Sequence, residues 1–82
     1  MFNPDKLKDL IEEVSMEVSS ACEKHAPLSS LHEAYAVLLE EVDELWEEVK
    51  KNPRKHPDCR ALARREAIQV AAMALRLLHD VL

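Results

Sequence analysis

Ala67-Ile68-Gln69-Val70-Ala71-Ala72-Met73-Ala74-Leu75-Arg76-Leu77-Leu78 is a helical stretch that is apolar on nearly every side, interrupted only by Gln69 and Arg76. A helix of this kind has to be covered all round to be stable in water. Two other segments can cover part of it. The spacing of Leu7, Leu10, Ile11, Val14 and Val18 predicts a helix over residues 4–24, opened by Asn3 as cap and Pro4 at the first position and closed by His25-Ala26-Pro27. Leu31, Tyr35, Leu38, Val42, Leu45 and Val49 predict a second helix over 30–51 with these six residues as its core stripe. Ser30-x-x-Glu33 has the form of a capping box at its start, and Asn52-Pro53 ends it after Lys50 and Lys51, which suit a negative helix terminus. The apolar stretch itself lies in a third helix, 58–81, with Asp58 as its expected cap.

The fold class that follows is all-α: a single domain over residues 1–82, a three-helix chain forming a bundle. Gly is absent, aromatic residues make up 4% of the chain, and 82 residues bury only a little over ~60% of their unfolded surface. Two helices cannot cover the third completely. The remaining face is expected to pack on a second copy, with Ala71, Ala72 and Ala74 allowing close approach, so homo-oligomerisation completes the bundle.

Charge is unevenly placed. Residues 1–49 carry three Lys and thirteen Asp or Glu, whereas residues 50–82 carry eight Lys or Arg and three acids, within a net charge of −5. This argues against nucleic acid as the main partner and suits an acidic metal site beside a cationic rim, the arrangement that a phosphorylated ligand requires. No apolar run reaches the length of a membrane span, and no signal-peptide pattern opens the chain. A cytoplasmic protein with Cys22 and Cys59 as reduced thiols is expected.

Chemistry concentrates in Glu40-Glu41-Val42-Asp43-Glu44-Leu45-Trp46-Glu47-Glu48, six carboxylates in nine residues. At about 100° per residue from Leu38, Glu41, Glu44 and Glu48 fall near 300°, 240° and 280°, on the shoulder of the apolar stripe, while Glu40, Asp43 and Glu47 point further out. Half-buried carboxylates on successive turns repel one another unless a cation offsets them. Helix three offers a matching pair, Glu66 and Gln69, with Arg64, Arg65 and Arg76 nearby as salt-bridge partners or phosphate binders.

Glu40-Glu41-x-x-Glu44, a spacer, and Glu66-x-x-Gln69 ahead of an Ala-rich apolar helix resemble the MazG-like all-α nucleoside triphosphate pyrophosphohydrolases, whose pattern is EExxE, a spacer and ExxD. The resemblance spans about residues 28–80. It implies hydrolysis of a (deoxy)nucleoside triphosphate to the monophosphate and pyrophosphate, with Mg²⁺ or Mn²⁺ held by acids, in a homodimer or dimer of dimers. By position, Glu41, Glu44 and Glu66 become the metal ligands and Glu40 an outer or water-activating carboxylate. Gln69 departs from the pattern, standing where the family usually has Asp. Three consequences stay open: Gln69 ligates through its carbonyl, Glu48 compensates, or catalysis is weak or lost. The last of these leaves a non-catalytic helical module that binds nucleotide or a protein partner.

For the phosphates, Lys50, Lys51, Arg54, Lys55 and Arg65 are candidates against the alternative of a solvated basic loop, and Trp46 is either a base-stacking or a packing residue. Cys22-x-x-His25 and His56-x-x-Cys59 have residue types suited to Zn²⁺, but they flank joints expected at opposite ends of the bundle.

Overall fold

The computed structural model describes residues 1–82 as three α-helices with no strand: α1 (Pro4–Lys24), α2 (Leu31–Val49) and α3 (Cys59–Asp80). No helix is long and apolar enough to cross a membrane. The helix starts follow from local chemistry. Asn3 is extended, and its Oδ1 accepts from the N–H groups of Asp5 and Lys6 at 3.1 Å each, with Pro4 behind it. Ser30 Oγ accepts from Glu33 N–H at 3.1 Å. The returning arm of the expected capping box is displaced by one residue, because the Glu33 carboxylate accepts from the N–H and hydroxyl of Ser29.

Asp58 does not cap α3. Its backbone is helical (φ −90°, ψ −2°), already part of the turn in which Cys59 N–H donates to His56, so its carboxylate makes no cap hydrogen bond. Helix α2 also stops at Val49, which leaves Lys50 and Lys51 in the turn beyond it.

Both α1 and α2 pack on α3 and neither packs on the other, so the helices form an open V around α3. The core is small and lies where α2 begins: Leu28, Ala34 and Met73, with Val37, Leu38, Leu77 and Val81 against them. Here the expected stripe on α2 needs correcting. Leu38 and Leu45 are half-buried, but Leu31, Tyr35, Val42 and Val49 are exposed. The face that meets α3 comprises Ala34, Val37, Leu38, Glu41, Leu45 and Glu48. Ala34, at 0% exposure, has no side chain to hold the helices apart, and α2 is rolled roughly 70° toward it relative to the expected stripe.

Arg76 secures the α1–α2 joint to α3. Its side chain is 5% exposed; Nη2 donates to the Ala26 carbonyl at 3.2 Å and lies 3.8 Å from Asp80. The Asp80 carboxylate accepts from Leu28 N–H at 3.1 Å and contacts His79 Nδ1 at 2.8 Å. These hydrogen bonds, with Arg76 a weaker contributor, hold the Asp80 carboxyl below its ordinary range. At the other end, Arg64 makes a bidentate pair with Glu13 at 2.7 and 2.8 Å, tying α1 to α3 across the surface.

Candidate metal centre and its cleft

The roll of α2 turns Glu41 inward, and its consequence is a three-carboxylate cluster. Oxygens of Glu41, Glu44 and Glu66 all lie within 4.8 Å of one another. Glu41 and Glu44 stand one turn apart on α2, and Glu66 faces them from α3. Glu41 and Glu66 are half-buried and Glu44 is exposed, so the cluster opens to solvent on one side.

Electrostatics mark the group as short of positive charge. Burial, then the neighbouring Glu44 and Glu66, push the Glu41 carboxyl above its ordinary range. Burial and Glu44 raise Glu66 likewise, and Arg65 offsets only part of that rise. No Lys or Arg makes an ion pair with any of the three. Three oxygen donors at this separation, from two helices, with like-charge repulsion only partly offset by Arg65, form a donor set that fits a hard divalent cation.

Glu41 also lines a cleft of about 400 Å³ between the C-terminal half of α1 and the start of α2, floored by Gln69, Met73 and Arg76 of α3. That volume is in the range of small-molecule sites. Lys24 and His25 contribute positive or titratable groups to its α1 wall. No motif in the sequence marks Lys24, which is brought to the cleft only by the angle of α1 on α3, and no local pattern encodes that angle.

The other expected site residues are placed as follows. Glu40 is exposed on the outer side of Glu41, close enough to raise it further. Gln69 is one turn beyond Glu66 and lines the same cleft as Glu41. Glu48 is buried but committed elsewhere: Lys51 Nζ donates to both of its oxygens, at 2.6 and 2.8 Å, so it stands outside the cluster. Lys51 is thereby held above the ordinary lysine range, chiefly by the Glu48 hydrogen bond. Lys50 pairs with Glu47 at 2.9 Å, and Arg54 and Lys55 are exposed in the loop beyond α2. Arg65 is beside Glu66 and lines a second hollow with Gln69. Trp46 is 57% exposed and points about 140–160° away from Glu41 and Glu44 around α2, so it does not stack over the cluster of its own chain. Cys22 is exposed, Cys59 is buried, and the two Cys/His couples are not brought together.

No protein-family model matches the chain, and no curated protein or solved structure matches it. Its functional reading therefore rests on the side chains themselves.

Proposed function

We propose that this chain is a MazG-like, Mg²⁺-dependent nucleoside triphosphate pyrophosphohydrolase that works within a homo-oligomer and cleaves a (deoxy)nucleoside triphosphate to the monophosphate and pyrophosphate. Clearing unwanted nucleotides from the pool is the role such chemistry serves. The observation that carries the reading is the meeting of Glu41 and Glu44 with Glu66, residues far apart in sequence, within one ion's reach.

In this reading Glu41, Glu44 and Glu66 hold the cation, with Mn²⁺ able to replace Mg²⁺. When bound there, the cation neutralises charge on the polyphosphate and acidifies an attacking water. Glu40, exposed beside Glu41, would be the outer or water-activating carboxylate. Gln69 lines the cleft, where its neutral amide would bind a cation less strongly than a carboxylate. Arg65 and the cleft residue Lys24 supply positive charge for phosphate oxygens, whereas Arg76 is held by Ala26 and Asp80. Lys50, Lys51, Arg54 and Lys55 serve the rim at most, since the first two are already paired with Glu47 and Glu48.

Gln69 also favours a second reading, a helical module that retains the cluster and binds nucleotide without turnover. Pyrophosphate release from a panel of nucleoside and deoxynucleoside triphosphates with Mg²⁺ separates the two. Release that disappears in Glu41→Ala and Glu44→Ala supports the enzyme; Mg²⁺-dependent nucleotide binding with no release supports the module.

A further inference from the structure

Helix α1 is fastened to the rest of the chain mainly at one end. None of its 21 residues is buried, and it packs on α3 alone, never on α2. The Arg64–Glu13 pair is its one side-chain hydrogen-bonded link to another helix, and the two side chains are 56% and 45% exposed. A pair so open to water holds weakly.

Its C-terminal end is built differently. His25 leaves the helix in an extended conformation (φ −130°, ψ 148°), and the residues after it are pinned from α3: Arg76 donates to the Ala26 carbonyl, and the Asp80 carboxylate accepts from the N–H of buried Leu28. A weakly held arm on a pinned joint has the construction of a hinge, with His25 as the residue free to turn.

The cleft of about 400 Å³ lies inside the angle of that hinge, with Glu17, Ser20 and Lys24 of α1 on one wall and Val37 and Glu41 of α2 on the other. The walls differ in charge. Glu41 belongs to the three-carboxylate cluster, whereas Lys24 is a cation with no ion-pair partner. An anionic ligand that carries its own divalent cation suits both walls at once, the cation on the Glu41 side and the anionic oxygens on the Lys24 side. Such a ligand would join two helices that otherwise do not touch.

We infer that α1 is a strap: it closes on α2 by turning at His25 when a cation-bound triphosphate fills the cleft, and it reopens to release the product. The contacts between Lys24 and phosphate oxygens, absent from the open state, supply the difference in binding that closure needs. This inference rests on the hydrolase reading for its ligand.

Hydrogen exchange on the full-length chain, read by mass spectrometry, tests it. The probes are Mg²⁺ and a set of nucleoside triphosphates whose α,β-bridge is methylene, which cannot be cleaved there; calorimetry selects the one that binds. In the free chain, amides over residues 7–23 are expected to exchange at least roughly a hundredfold faster than those over 34–45 and 66–77, because few buried contacts hold them. With Mg²⁺ and the bound analogue, they slow together by at least roughly tenfold. Residues 7–14 decide the matter. They line no part of the cleft, so contact with the ligand cannot protect them and only docking of the whole helix can. Lys24→Gln, held at saturating analogue, should lose most of the slowing over 7–23 and keep it around Glu41 and Glu66. Binding with no slowing over 7–14 overturns the strap and leaves the hydrolase reading standing, as does an α1 already as protected as α3 in the free chain. Failure of every analogue to bind with Mg²⁺ removes both. These outcomes are read on the wild-type chain, so a variant that fails to fold does not blunt the test.

Discussion

At the scale of single residues, the raised carboxyls of Glu41 and Glu66 make a prediction with a definite sign. Where an acid's folded pKa lies above its unfolded value, the folded chain binds more protons, so stability is lost as pH rises through and beyond the ordinary glutamate range. A divalent cation held there, as proposed, would relieve that repulsion. Mg²⁺ is therefore expected to raise the melting temperature at pH 7–8 and to have no effect near pH 4, as followed by circular dichroism. Glu41→Gln should raise the melting temperature of the metal-free chain at neutral pH, abolish the Mg²⁺ response, and lower any pyrophosphate release by at least roughly a hundredfold. Gln69→Asp should do the reverse for cation binding, strengthening it in calorimetry, since a carboxylate replaces an amide beside the cluster. The alignment of Glu41 with Glu44 was legible because helical spacing sets carboxylates on successive turns, whereas their meeting with Glu66 on another helix came only from the resemblance to the EExxE, spacer and ExxD pattern. The fate of Glu48 was not, because the Lys51 side chain folds back from the turn beyond α2, where no periodicity applies.

At the scale of elements, the helix ends were readable because caps are local: Asn3-Pro4 and Ser30 each act through hydrogen bonds two or three residues away. Ser30→Ala should cost about 1 kcal/mol in urea unfolding. The rotation of α2 was not readable, since the helix is apolar on two sides and periodicity cannot say which one meets a neighbour. Ala34 decides it, and a small residue leaves little mark in a hydrophobic pattern. Ala34→Leu should accordingly destabilise by about 1–3 kcal/mol through overpacking, although it makes the sequence more hydrophobic. It should also weaken Mg²⁺ binding, because pushing α2 off α3 separates Glu41 and Glu44 from Glu66. Leu39→Gln on the exposed side of α2 should do neither of these things within one chain.

At the scale of the whole molecule, five buried apolar residues, of which only Leu28, Ala34 and Met73 form one cluster, are a small core for 82 residues, and the bidentate Arg64–Glu13 pair joining α1 to α3 is too exposed to replace one. In the proposed homo-oligomer, folding and assembly would be one process, and the melting temperature is then expected to depend on protein concentration. For a dimer unfolding to two chains, each tenfold rise in concentration adds about 1.4 kcal/mol per dimer, or ~0.7 kcal/mol per chain. An unfolding entropy of roughly 2.1 cal/mol/K per residue over a chain of this length turns that into about 4 °C per tenfold change. Calorimetric scans over a hundredfold range of concentration should therefore move the midpoint by about 8 °C, with Trp46 emission shifting at the same temperature as the loss of helicity. A midpoint that does not move with concentration would mean that α1, α2 and α3 hold their open V unaided.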